Sequence, residues 1–440
     1  METEKNLLVN VIGGGLAGCE AAYQLLKRGY KVNLYEMRDK KMTPCHKTKH
    51  LAELVCSNSL KSTEKETASG ILKAELEYMD SLLLRLAYLS RVEAGSALAI
   101  NREKFSLMVE AELNKFSNFT LINEEVKKVF IEQPTIIAAG PLASEDLVGD
   151  IINLINNKDD LYFYDAVAPI ISGDSIDMSK VFWASRYNKG DEKAYLNIPL
   201  NKEEYLNFTN ALINAKTVPL KNFEKLKIFE SCMPIEVMAK RGVDAMRFGP
   251  LRPVGIFGPN GEKYYAIVQL RKEDNDGKMF NIVGFQTNLT FPEQKRVFGM
   301  LNGLENVEFF RYGVLHRNTY LNSPKFLKAN FQMKDYNNIF FAGQITGVEG
   351  YVESIMSGAL AGINMARYLE NKEPYIPSAK TISGALARHI STDKDVRFEP
   401  MNANLGFLEP LDKNIRDKKE RKKEYFNVAI NDIIKSNLLN

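Results

Sequence analysis

Gly13-x-Gly15-x-x-Gly18 constrains this chain more than any other feature. It follows an apolar run, Leu7 to Ile12, and opens a segment with Leu16, Cys19, Tyr23 and Leu26 near helical spacing. Gly29 stops that helix, and Tyr30 to Glu36 reads as a second strand ending in an acid. The unit is a βαβ dinucleotide cradle. Gly13 permits the tight turn, Gly15 lets the backbone approach a pyrophosphate, and Gly18 lets helix and strand pack closely. Gly14, Leu16 and Ala17 complete the turn, where the helix N-terminus offers free N–H groups to phosphate. Glu36 is placed to accept hydrogen bonds from an adenosine ribose.

Two later segments favour FAD over NAD as the resident cofactor. Short strands are predicted at 119–123, 126–131 and 134–138, the last running into Ala139-Gly140-Pro141. Strand 337–341 leads into Gly343 and Gln344, a glycine-studded turn to Gly350, and a helix from Tyr351 to Asn371. These are the usual later pieces of a two-part flavin domain. Gly358 and Gly362 within the helix read as close helix packing. A helical pattern covers Thr67 to Leu89, and another Arg102 to Phe116. Residues 160–320 change character, being rich in aromatics, Asn and Pro, with hairpin signals such as Pro259-Asn260-Gly261. The predicted class is α/β, a Rossmann-like FAD-binding domain of the glutathione-reductase type with an inserted mixed α/β domain. The expected division is 1–160, 161–320 and 321–440, the last carrying a basic helix from about Asn414.

Composition narrows the setting. Four cysteines in 440 residues are too few for a disulfide framework, and no apolar run approaches the roughly 18–20 residues of a membrane span, so a cytoplasmic chain with no membrane partner is expected. Cys19 falls on the sheet-packing face of the first helix and reads as core. Cys45, His46, His50 and Cys56 could be drawn as a zinc set, but the spacing fits no common finger or ribbon, so no metal is expected. Cys232 precedes Pro234, so it sits at the start of a short helix expected to stop at Gly242. That position lowers a thiol's pKa, and the residue reads equally as a nucleophile or as a small buried side chain. The net charge of +3 hides two basic stretches. Residues 28–50 hold seven basic against two acidic side chains, and 412–424 hold seven against four. Each reads as a phosphate-binding surface or as a solvated face.

Six segments resemble the folate- and FAD-dependent RNA uracil-5-methyltransferases, the TrmFO family. They are VIGGGLAGCEAA (11–22), LAELVCSNSLKS (51–62), FESCMPIEVMAKRG (229–242), RYGVLHRNTYLNSP (311–324), FFAGQITGVEGYVESIMSGALAGINMA (340–366) and PMNANLGFLEPL (400–411). The related MnmG proteins share the general fold in a longer chain. The resemblance implies methylation of a uridine at C5, with 5,10-methylenetetrahydrofolate giving the one-carbon unit and FAD, reduced by NAD(P)H, giving the electrons. It implies Cys232 as the nucleophile toward C6 and Cys56 as a base or thiol partner beside the flavin. It implies His316 as the folate-stacking residue and Tyr351 as an aromatic against the isoalloxazine. Ser231 departs from the glycine expected of the family there. The implied partner is RNA, either the T-loop uridine of tRNA or, as in similar proteins of AT-rich genomes, a 23S rRNA uridine. An RNA buries its bases, so base flipping is expected. A small-metabolite flavin oxidoreductase and a non-catalytic RNA-binding flavoprotein are the competing classes.

Overall fold

The computed structural model describes residues 5–43, 45–155, 161–188, 194–219, 233–274, 276–392, 398–411 and 415–436. The first helix, Leu16–Leu26, carries the chain between strands Lys5–Ile12 and Tyr30–Tyr35, which pair in parallel as a crossover requires. Phe119–Ile122 adds outside the second strand, and Thr135–Ile137 outside the first. The chain then leaves the sheet and returns 200 residues later with Ile339–Phe341, which pairs in parallel with Thr135–Ile137. The sheet order, from one edge, is 339–341, 135–137, 5–12, 30–35 and 119–122. Thr135–Ile137 and Ile339–Phe341 are buried throughout, as strands covered on both faces must be.

Between those two strands stands a six-stranded sheet ordered 182–183, 195–200, 266–272, 279–282, 170–172 and 309–311, paired antiparallel. It has its own apolar core, from Ile171 to Val307, while the parallel sheet's core draws on Val9 to Ile151 and again on Tyr320 to Ile433. Leu161–Val167 and Val314–Tyr320 pair as an antiparallel ribbon where the chain passes between the cores. Among the described residues no helix is long and apolar enough to cross a membrane.

The long helix Tyr351–Leu369 lies directly on Leu16–Leu26. A Cβ at Gly358 would stand 2.2 Å from the Ala17 carbonyl oxygen, and one at Gly362 would stand 2.7 Å from that of Ala21, so both glycines serve the close packing expected of them. Other local expectations are corrected. The pattern over Thr67–Leu89 splits into Ala68–Tyr78 and Leu82–Leu89, because Asp80 turns left-handed at φ 54° and Ser81 caps a new helix. Residues 126–131 form no strand, and the Val129 N–H donates to Asp150 Oδ2 instead. The Pro259-Asn260-Gly261 turn forms with Gly261 at φ 85°, yet its flanks are not strands, and 195–200 pairs with 266–272 across the whole excursion. The final helix is Lys418–Lys435, capped by Asp417.

Candidate active site

The glycine cradle is shaped by steric necessity. Gly13 turns at φ 109°, and a Cβ there would lie 2.4 Å from the Ala138 carbonyl oxygen. A Cβ on Gly18 would lie 1.8 Å from the Gly13 carbonyl oxygen. Gly15 behaves oppositely, since its Cβ would meet nothing within 4 Å, and it caps helix Leu16–Leu26 without a side-chain hydrogen bond. That combination leaves helix-start N–H groups facing open space, the arrangement a pyrophosphate needs. Gly140, at φ 68°, also has nothing within 4 Å of an added Cβ.

One cleft runs from this cradle. Gly13, Gly15, Leu16, Ala17, Glu36, Gly140, Gly343, Gln344, Tyr351 and Cys56 all line it. Gly14, Gly18 and Gly350 stand behind the lining. The Gly14 N–H donates to Glu36 Oε2 at 2.9 Å, and Gly350 ends the glycine turn at φ 125°, where a Cβ would meet the Glu353 carboxylate at 2.2 Å. Glu36 is buried, and its oxygens also accept from the Arg38 backbone N–H and guanidinium. Burial alone would raise its pKa, but Arg38 outweighs that and holds the carboxyl below the usual range. Arg38 leaves Nη1 buried without a hydrogen bond at this end of the cleft. An adenosine ribose would therefore meet a Glu36–Arg38 pair rather than a lone carboxylate.

At the other end, the loop 54–58 that carries Cys56 is clamped from four directions. The Tyr351 hydroxyl accepts from the Cys56 N–H at 2.7 Å and the Ser57 N–H at 3.1 Å. Arg102 donates to the Leu54 and Val55 carbonyls, at 2.6 and 3.1 Å, and its remaining nitrogens pair with Glu273 at 2.7 and 3.2 Å. Arg311 donates to the Val55 carbonyl at 2.8 Å, and Arg271 reaches Ser57 Oγ at 2.7 Å and Asn58 Oδ1 at 2.9 Å. Burial, with Arg102 nearby, lowers Arg311 to about 10, and burial pushes the Tyr351 hydroxyl up. A charge on Cys56 acts on Arg102, Arg311 and Tyr351 alike, so the sulfur stands in the field of two guanidiniums.

Comparison with known proteins places this geometry. The family model "Glucose inhibited division protein A" matches residues 8–373. The methylenetetrahydrofolate–tRNA-(uracil-5-)-methyltransferase TrmFO of Bacillus subtilis is 53% identical over 426 residues, 97% of each chain. That of Fusobacterium nucleatum is 52% identical over 423 residues, 96% of this chain and 97% of its own. The chain belongs to the TrmFO family. Among solved structures, Aquifex aeolicus GidA superposes with a TM-score of 0.71 at 16% identity, over 99% of this chain and 74% of that one. That likeness carries the fold, a Rossmann-like α/β domain of the MnmG (GidA) type with a mixed α/β insertion, as the sequence predicts.

The other residues expected of a TrmFO protein are less fully in view. Cys232 lies outside the described residues, and the helix after it is Ile235–Lys240, with Pro234 at its N-cap. His316 pairs with Asp165 in the ribbon between the cores, and its side chain lies outside the described residues. Cys19 is fully buried, donates to the Gly14 carbonyl at 3.3 Å, and is driven above its usual pKa by burial. Cys45 is buried, while His46 meets Thr43 and His50 meets Glu110. Of the first basic stretch, 28–50, Lys40, Lys41 and Lys49 are exposed. Arg38 is buried against Glu36, Lys41 pairs with Glu125 and Lys49 with Asp39. In the described part of the second stretch, Lys418, Lys419, Arg421 and Lys423 are exposed on the last helix. Sequence reasoning missed Arg38, Arg102, Arg271, Glu273 and Arg311. Only Arg311 stands in a family segment, and none had a local pattern to mark it.

Proposed function

We propose that this chain methylates C5 of a uridine in tRNA, taking the one-carbon unit from 5,10-methylenetetrahydrofolate and electrons from NAD(P)H through bound FAD. The observation that carries the reading is the cleft itself, which joins a dinucleotide cradle to a clamped cysteine at Cys56. FAD fits the residues present. Gly15 and Gly140 leave the space that its pyrophosphate would fill, and the turn at Gly343 and Gln344 faces the same cleft. When bound, FAD supplies the two electrons that turn the transferred methylene into methyl.

Uracil C5 is a poor nucleophile until a thiolate adds to C6. In our reading the Cys232 sulfur forms that bond, and the resulting enolate attacks the one-carbon electrophile through C5. Cys56 or a base beside it then takes the C5 proton as the bond from the one-carbon unit to its carrier nitrogen breaks, a hydride equivalent converts the resulting exocyclic methylene to methyl, and the C6–S bond breaks to restore the C5–C6 double bond and the free thiolate. Arg102 and Arg311 favour a thiolate at Cys56 because a nearby cation stabilises the anion. His316 is assigned the folate-stacking role and Tyr351 that of positioning both the Cys56 loop and the flavin face. The unit 161–320 is read as the substrate side, with 1–160 and 321–440 as the two parts of the FAD domain, in a cytoplasmic protein. The test is 5-methyluridine formation on unmodified tRNA and 23S rRNA side by side, with methylenetetrahydrofolate and NAD(P)H. Activity on tRNA that Cys232→Ala and Cys56→Ala abolish is expected. Activity on rRNA alone redirects the target, and unchanged turnover in Cys232→Ala removes the mechanism.

A further inference from the structure

The antiparallel core exposes a group of aromatic side chains where an ordinary surface would be polar. Phe248 is 83% exposed, Tyr187 56% and Phe257 51%, all on the segments 186–188 and 241–265. Their exposure is built in rather than incidental. Tyr187 adopts a left-handed backbone at φ 58°, which a bulky side chain rarely takes, and its N–H donates to the Gly255 carbonyl at 2.7 Å. Its ring lies over Gly255, where a Cβ would approach to 2.7 Å. Beneath it, Arg186 donates to the Arg252 carbonyl at 2.9 Å and to Gln269 Oε1 at 3.2 Å, which fixes the loop. Burial and the charge of neighbouring Arg252 hold the Arg186 guanidinium below its usual pKa. Two cations thus stand side by side next to exposed rings, with Arg252 open to solvent.

This face is tied to the Cys56 loop of the proposed mechanism. Strand Ala266–Lys272 runs from it to the Cys56 loop. The Ile267 N–H donates to the Leu251 carbonyl, Gln269 meets Arg186, and Arg271 holds Ser57 and Asn58. Gln269 and Arg271 are two residues apart, roughly 7 Å along a strand. The segment after Cys232 enters helix Ile235–Lys240 and continues into Phe248.

Resting on the function proposed above, we infer that Tyr187, Phe248 and Phe257, with Arg186 and Arg252, form the surface that receives the RNA nucleotides flanking the flipped uridine. Extruding one base unstacks its neighbours, and exposed rings replace the lost stacking without reading sequence. The exposed Arg252, beside the Arg186 guanidinium that fixes the loop, suits the phosphates between those bases, which is the charge complementarity that selects RNA over a neutral partner.

The test uses the full-length, flavin-loaded protein and unmodified tRNA, with affinity measured over a salt series. Phe248→Ala/Phe257→Ala is expected to weaken binding at least about tenfold. Arg252→Ala is expected to weaken it severalfold and to reduce the salt slope by about one. KM for tRNA should rise in step, while the flavin-to-protein absorbance ratio stays at the wild-type value and reports an intact fold. Wild-type affinity in both variants overturns the inference. So does a change in self-association with tRNA affinity unaltered, which would make the face a contact between copies. Wild-type protein that methylates tRNA beside variants that bind it normally would remove this surface alone. Wild-type protein that neither binds nor methylates RNA would remove the proposed function with it.

Discussion

Between Gly13 and Glu36 the cleft is shaped by close contacts of backbone, most of them within one βαβ unit with Ala138 against Gly13 the exception, whereas around Cys56 it is shaped by side chains from residues 102, 271, 311 and 351. At the first end the determinants are steric. Gly18 meets Gly13, and Glu36 folds back onto the Gly14 N–H, all within one βαβ unit. At the second end the determinants are polar and distant, so the Cys56 loop has its shape only once both cores have formed and met. A nucleotide-binding element of this kind is portable among folds, while a clamped loop belongs to one assembly of domains. The cofactor cradle should therefore tolerate damage at the Cys56 end, and the reverse should not hold.

The largest expected effect is at the clamp. Arg102→Met would strip donors from the Leu54 and Val55 carbonyls and leave Glu273 buried without its cation. Removing one partner of such a pair costs about 3–5 kcal/mol, read as a lower denaturation midpoint. Arg102→Met/Glu273→Leu should recover much of that loss, because no lone charge remains, yet the Cys56 loop should stay unclamped and methylation low. Recovery of full activity in the double variant would show that the clamp serves stability alone.

Gly18→Ala probes the other end. Its new methyl would press on the Gly13 backbone oxygen, with no flexible side chain to yield, at a cost of about 3 kcal/mol. Flavin retention should fall at least tenfold, measured by the absorbance ratio of purified protein. A variant that keeps its flavin would mean that the cradle is not set by local packing.

The same contrast explains what could be read from the chain. The cradle was legible because its signal is compact: three glycines, a strand, a helix and an acid within 24 residues. Gly343 and the helix after it were legible for the same reason. Arg102, Arg271 and Glu273 were not, since a charged residue in an ordinary helix or strand gives no sign that its partner lies in another core. Arg38 was counted as part of a basic surface, but two residues of separation let it fold onto Glu36. The break at Asp80 was hidden because leucines on both sides keep an unbroken helical pattern.

Tyr351→Phe separates the two parts assigned to that residue. It keeps the ring while removing the acceptor for the Cys56 and Ser57 N–H groups, at a cost of about 1–3 kcal/mol for each one left buried and unpaired. Methylation should drop about tenfold with flavin content unchanged. If the flavin is lost instead, the hydroxyl matters to the cofactor and not to the loop.

The last effect is electrostatic and unfolds gradually with pH. Lys73 is buried, and its ammonium donates to the Ser62 carbonyl at 2.9 Å and to Ser69 Oγ at 2.6 Å. Burial lowers its pKa from 10.5 to about 7, although Glu353 acts in the opposite sense. Because the folded value is the lower one, the unfolded chain binds more protons between pH 7 and pH 10. Stability contributed through this group therefore rises with pH across that window, by about 1 kcal/mol per unit, and is level below it. Lys73→Met should flatten that part of the profile, measured as the difference in unfolding free energy between the two proteins at pH 7, 8, 9 and 10. A variant whose profile parallels the wild type would mean that Lys73 keeps an ordinary ammonium, with solvent reaching the strand Ser59–Ser62 from behind. The Cys56 end would then be less insulated from water than its hydrogen bonds imply, and more like the open nucleotide end.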